Sequence, residues 1–141
     1  MSWTELVAAA ETIRSDAAAN GGARLADLRI TGVAWATVEA DRAFQELAGV
    51  LDGVLDGPAE WLAQERDSLL GASVWRRDPS PDGGIALFVV EPDTEGRLAA
   101  FLARFGEGVG AVYLSPGGEG DRIVPVSPRW GPYAIVRSRS G

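Results

Sequence analysis

The chain contains no histidine and no cysteine, which removes imidazole, thiol and the commonest transition-metal ligands from any chemistry it performs. All 13 basic residues are arginine. Carboxylates, two tyrosines (Tyr113 and Tyr133) and guanidiniums are left as the acids, bases and charge stabilisers. Glu91, Asp93, Glu95 and Glu107 fall close together in sequence, and a buried member of such a group serves as a general base when desolvation raises its pKa. Asp93 and Glu95 also stand at the expected amino end of a helix, where capping and the backbone dipole favour negative charge without any catalytic role. Arg76, Arg77, Arg122 and Arg137 suit an anionic ligand and equally suit solvated strand ends. Of five tryptophans, Trp3, Trp35, Trp61 and Trp75 read as core, whereas Trp130 sits in a Pro/Gly-flanked connection of the kind that displays binding residues. The glycines of Ser115–Asp121 and Gly106-Glu107-Gly108 read as turns. Neither stretch opens the helix that a phosphate loop requires, and the first lacks its lysine.

Net charge is −7 and the arginines are scattered, so a nucleic-acid partner is not expected. Apolar residues, 46% of the chain, are spread along it rather than gathered into a membrane-crossing run. The amino terminus has neither the basic start nor the apolar stretch of a secretory signal. With no cysteine to argue for export, a cytoplasmic protein with no membrane partner is the expectation.

At 141 residues the chain reads as a single domain spanning 1–141. Ser2-Trp3-Thr4-Glu5 has the form of a capping box, and Trp3, Leu6, Val7, Ala10, Ile13 and Ala17 recur at helical spacing. This predicts an amino-terminal helix over 1–22. Leu28–Val38 alternates as a strand, Asp41 suits the cap of a helix carrying Phe44, Leu47, Ala48 and Leu51, and Pro58 suits the start of a short third helix around Trp61 and Leu62. Leu69–Arg77 and Ile85–Glu91 form an expected strand pair. Asp93 or Thr94 then caps a helix with Leu98, Phe101, Leu102 and Phe105 as its stripe, stopped by Gly106. Val109–Ser115, Arg122–Ser127 and Tyr133–Arg137 complete the expected strands.

The stretch Ile85–Leu114 runs from a strand ending Glu91-Pro92 through Phe101-Leu102 and Gly106-Glu107-Gly108 back into a strand. It resembles the vicinal oxygen chelate superfamily, which includes the glyoxalases, bleomycin-resistance proteins and dioxygenases. The pattern is nearest to the methylmalonyl-CoA epimerase branch, and Ile30–Leu47 is similar to that branch's opening strand and helix. The resemblance implies an α+β fold in which paired βαβββ modules form a curved mixed sheet around a cup, here trimmed and with an extra amino-terminal helix. The first module would span 28–91, a linker helix 93–106, and a shortened second module 109–138. That second module lacks a helix of its own. The amino-terminal helix is expected to cover its sheet face, within the chain or across a homodimer.

The same resemblance implies histidines at the positions of Gly32 and Ala111, a glutamine or similar ligand at Phe88, and a final-strand glutamate with no counterpart in 133–139. The expected fold thus arrives without its metal, and no cofactor is expected. Strand alternation then lines the cup with Gly32, Ala34, Ala36, Ala86, Phe88, Val90, Ala111 and Tyr113, joined by Trp130. Tyr113 is the expected polar contact, and Tyr113 and Glu107 are the expected catalytic pair. Three functions follow. The first is metal-independent binding of a small, largely apolar organic molecule, with isomerisation, cyclisation or proton transfer on a biosynthetic intermediate. The second is sequestration of an antibiotic in the manner of the bleomycin-resistance branch. The third is a structural or regulatory role with the cup filled by side chains.

Overall fold

The computed structural model describes residues 2–21, 23–51, 60–77, 84–115, 121–127 and 131–137. Helix α1 (Trp3–Gly21) opens on the expected capping box: the Ser2 hydroxyl accepts the Glu5 N–H and a Glu5 carboxylate oxygen accepts the Ser2 N–H, each at 3.2 Å. A 3₁₀ turn (Ala23–Asp27) leads into strand β1 (Arg29–Ala36). Helix α2 (Ala40–Leu51) follows, then strands β2 (Leu62–Asp67), β3 (Ala72–Arg77) and β4 (Ala86–Pro92). Helix α3 (Arg97–Phe105) precedes β5 (Gly108–Ser115), β6 (Arg122–Pro125) and β7 (Tyr133–Val136).

The strands form one curved mixed sheet in the order β2-β3-β4-β1-β5-β7-β6. β1 is parallel to β4 and antiparallel to β5, and β5 is in turn parallel to β7. The two halves, β1-β4-β3-β2 and β5-β7-β6, therefore repeat one pattern outward from the antiparallel β1/β5 seam. The first half is a complete βαβββ module. This corrects the trimmed first module, because the segment expected to be a short helix around Trp61 and Leu62 contains β2 instead. The expected helix start at Pro58 lies outside the described residues. β2 escapes notice because Leu62-Ala63-Gln64-Glu65-Arg66 is exposed along its length and carries helix-favouring residues. It is an edge strand, and its charged side chains discourage pairing with another chain.

Two further starts differ from expectation. Asp41 does not cap α2: the Thr37 hydroxyl accepts the Glu39 N–H at 3.0 Å and the Glu91 carboxylate accepts the Ala40 N–H at 2.8 Å. Neither Asp93 nor Thr94 caps α3, whose N-cap is Gly96 with no side-chain bond. Asp93 is instead held by Arg66 through two bonds of 2.9 and 2.7 Å. The expected stop holds: Gly106, at φ 78°, donates its N–H to the Leu102 carbonyl at 2.9 Å in a conformation that disfavours a side chain.

The sheet has two covered faces. On one, Leu6, Ala10, Ile13 and Ala17 of α1 pack with Val33, Val112, Leu114, Ala134 and Val136, while Ala40, Ala43 and Leu47 of α2 extend the layer toward Leu87 and Val89. Helix α1 touches β1, β5, β6 and β7. It occupies the place where the second module lacks a helix, and it does so within the chain. Burial of each large aliphatic side chain there is worth roughly 1.5–3 kcal/mol. Deleting residues 1–22 is accordingly expected to abolish cooperative thermal unfolding and to produce strong binding of a hydrophobic dye. Retention of the native transition would contradict this packing.

Candidate functional site

The opposite face is the cup. Ala34, Ala36, Val90, Ala111 and Tyr113 all lie in its apolar layer, with Phe88 partly buried against it. Ala86 pairs with Gly32 and shares the strand parity of Phe88. The structure thus brings together all the expected lining residues except Trp130, which lies outside the described residues. They do not line one open space. Helix α3 closes one half with Leu98, Phe101 and Leu102, leaving Ala34, Ala36 and Ala111 with no exposed surface. A β-bulge at Gly110 brings the backbone close enough that a Cβ there would stand 3.2 Å from the Phe101 ring and 3.0 Å from the Ala36 methyl.

The other half is open, as a cleft of about 620 Å³ reaching Thr31, Asp67, Arg76, Phe88, Tyr113 and Arg137. It is more polar than the small-residue lining expected from sequence. A second bulge explains the presence of Thr31. Ile30 pairs with Leu114 and Gly32 with Tyr113, so Thr31 is an extra residue that resets the alternation. Ile30 consequently joins the helix-side core, although Gly32 and Ala34 share its even parity and face the cup. Thr31 faces the cleft, its hydroxyl donating to the Tyr113 carbonyl at 3.3 Å.

The floor of the cleft is organised by Asp67, which is 3% exposed. One carboxylate oxygen accepts the N–H groups of Leu69 and Leu70 at 2.9 and 3.1 Å; the other accepts the Tyr113 hydroxyl at 3.0 Å and an Arg137 N–H at 3.3 Å. Four donors satisfy a charge that burial would otherwise make costly. The Arg137 guanidinium also lies 5.0 Å from the Tyr113 ring centroid and meets Asp121 at 3.2 Å. Arg76 stands 5.6 Å from the Phe88 centroid, and the Phe88 and Tyr113 rings adjoin at 4.8 Å. Asp67 and Thr31 were not singled out from sequence. The usable signal for Asp67 was the Asp67-Ser68-Leu69-Leu70-Gly71 turn, in which an aspartate bonds the backbone two and three residues on.

Tyr113 and Glu107 are not brought together. They stand six positions apart on and before β5, about 20 Å along an extended chain. Glu107 accepts the Thr37 hydroxyl and, at 2.5 Å, an Arg42 N–H. These bonds, Arg42 first, hold its carboxyl below the usual range, so it clamps the β1–α2 connection as a carboxylate. Tyr113 is pushed the other way, first by burial and then by the Asp67 charge. Its folded pKa lies above the ordinary value of about 10, so its contribution to stability is complete below that pH. As pH rises above about 10 the unfolded phenol ionises first, and stability falls by about 1.4 kcal/mol per pH unit from this group. Denaturant titrations between pH 9 and 11 (a range set around the ~10 reference) should show this decline, and Tyr113→Phe should make it shallower, the part that remains coming from Tyr133, which burial also pushes up. An equally steep decline in the variant would exclude the assignment.

No protein-family model and no curated protein sequence matches the chain. Solved structures do. Hypothetical protein BH1468 from Bacillus halodurans C-125 superposes with a TM-score of 0.55 at 15% identity, over 81% of this chain and 96% of that one. Methylmalonyl-CoA epimerase from Mycobacterium tuberculosis gives 0.55 at 15%, over 79% and 88% of the two chains. A further methylmalonyl-CoA epimerase gives 0.50 at 17%, over 79% and 95%. The chain has the vicinal oxygen chelate fold.

The chelate itself does not fit. Gly32, Phe88 and Ala111 offer no side-chain donor, and a Cβ on Gly32 would stand 2.3 Å from Phe88 Cε2. The Phe88 ring therefore fills the volume into which a ligand side chain at position 32 would project. Among the described residues no group of three or more carboxylates is placed to hold a metal ion. Among them, too, no helix is long and apolar enough to cross a membrane.

Proposed function

We propose that the protein binds a small organic molecule in the open half of the cup, without a metal. The carrying observation is the cleft itself: about 620 Å³ of space whose wall is the paired rings of Phe88 and Tyr113 and whose floor is the Asp67–Arg137 pair. That volume suits a ligand of drug or metabolite size. The aromatic wall favours a flat or apolar portion, and Thr31, Glu65, Arg76 and Asp121 favour an adjoining polar group. The ligand is accordingly amphipathic rather than wholly apolar.

Binding without turnover is the reading favoured over isomerisation, cyclisation or proton transfer. The Tyr113 proton is committed to Asp67, and burial opposes its loss. The Asp67 carboxylate already accepts four hydrogen bonds, from Leu69, Leu70, Tyr113 and Arg137, which it would have to give up to receive a ligand's proton. Sequestration of a small molecule, as in the bleomycin-resistance branch, uses this constellation as it stands. A ligand-observed NMR screen of aromatic and aliphatic acids, alcohols and amines tests the proposal. Hits should compete with one another and weaken on Phe88→Ala and Arg76→Gln. Hits indifferent to both substitutions would place binding elsewhere, and chemical conversion of a hit would reinstate the enzymatic reading.

A further inference from the structure

A second cleft, of about 650 Å³, lies on the far side of the wall made by Thr31, Arg76 and Phe88. Its charged lining comes from three separate elements: Glu11 and Arg14 from α1, Arg29 from β1, and Arg76 from β3. Among the described residues three arginines and one glutamate line this cleft, in a chain whose net charge is −7. We propose that this cleft is a binding site for the phosphate or carboxylate group of a small organic anion.

Two of these side chains are held in place. Arg14 donates to the Leu28 carbonyl at 3.0 Å, which anchors it at the junction of α1 with the start of β1. Arg76 is seated by the Phe88 ring at 5.6 Å. An anion entering between them accepts charge-assisted, paired N–H bonds from planar guanidiniums. The carbon part of such a ligand has Ile85 and Phe88 to rest on.

Arg14 belongs to α1, the element added to the two modules, so the helix that covers the second module also completes this site. The Thr31 bulge adjoins both clefts. An anion held here can extend its remainder past Phe88 toward Tyr113. The site goes beyond the reading above, and Arg14 and Arg29, which line this cleft and not the first, separate the two.

The test is a titration of the isotopically labelled full chain with inorganic phosphate, and separately with acetate, at constant ionic strength set by chloride. Backbone and arginine side-chain NMR signals report the result. Saturable shifts at Arg14, Arg29, Thr31 and Ile85 are expected, with a dissociation constant on the order of millimolar. Arg29 is exposed and Arg14 half-buried, so Arg14→Gln and Arg29→Gln leave the core intact. Each should weaken binding about fivefold, and the double variant should abolish saturation. Arg104→Gln, on α3, should change nothing. Saturation by acetate alone assigns the carboxylate class, and saturation by phosphate the phosphate class. Shifts that stay linear with both anions, or saturation untouched by the double variant, overturn the site. Loss of the Phe88/Tyr113 ligand with phosphate binding intact would overturn the first cleft alone.

Discussion

Replacing Asp67 by alanine is expected to lower the unfolding free energy by about 2–4 kcal/mol, the scale for leaving two buried donors without an acceptor. The carboxylate joins three parts of the chain that are distant in sequence: the turn after β2, Tyr113 in β5, and Arg137 after β7. Without it the Tyr113 hydroxyl and the Leu70 N–H lose their acceptor in a buried setting, and Arg137 keeps Asp121 but loses its buried carboxylate partner. Asp67→Asn keeps an acceptor for the turn but gives up the charge facing Arg137, so about 1–2 kcal/mol is expected. Urea denaturation measures both. A loss below about 1 kcal/mol for the alanine variant, the scale of an exposed pair, would mean that the cluster is solvated and does not form the floor of a cleft.

The second large effect is steric. Gly32→Ala places a methyl 2.3 Å from Phe88 Cε2 and 2.8 Å from Cδ2, which requires the ring to leave its seat or the strand to shift. Overpacking of this kind costs about 1–3 kcal/mol. Because Phe88 is the obstacle, the cost should largely disappear in a Phe88→Ala background, leaving a coupling of at least about 1 kcal/mol in a double-mutant cycle. Additive effects would show that the ring does not occupy the place of the missing ligand. The ring displaced by Gly32→Ala is also the cleft wall, so that variant should lose the small-molecule hits.

Local signals carried most of the element pattern. The Ser2/Glu5 capping box, the Gly106 stop and the buried members Leu98, Phe101 and Leu102 of the α3 stripe stand where spacing placed them. Phe105, the fourth member, is half in solvent and leans on Phe101 instead. The cup face was legible for a similar reason: strand alternation fixes which residues share a side once one is known. What alternation could not show is that α3 covers Ala34, Ala36 and Ala111, a long-range packing choice with no local signature.

The bulges at Thr31 and Gly110 were hidden because each depends on the register between β1 and β5, not on either strand's own sequence. Edge strand β2 was hidden because a strand exposed on both faces has no hydrophobic period to read. Asp67 follows from both gaps. It ends the unread strand and faces Tyr113 across the cup, so its partners appear only when the sheet is assembled. Glu107 shows the converse error: proximity in sequence to other carboxylates suggested chemistry, while its geometry with Arg42 and Thr37 makes it a clamp.

Native mass spectrometry of freshly isolated protein, paired with elemental analysis of the same sample, tests most directly whether this fold works without its chelate. The account predicts an organic adduct, or an empty chain that takes up an organic ligand after metal depletion, with no stoichiometric divalent ion and with the adduct lost on Phe88→Ala. A tightly held divalent ion at one per chain, required for the organic ligand to bind, would contradict it.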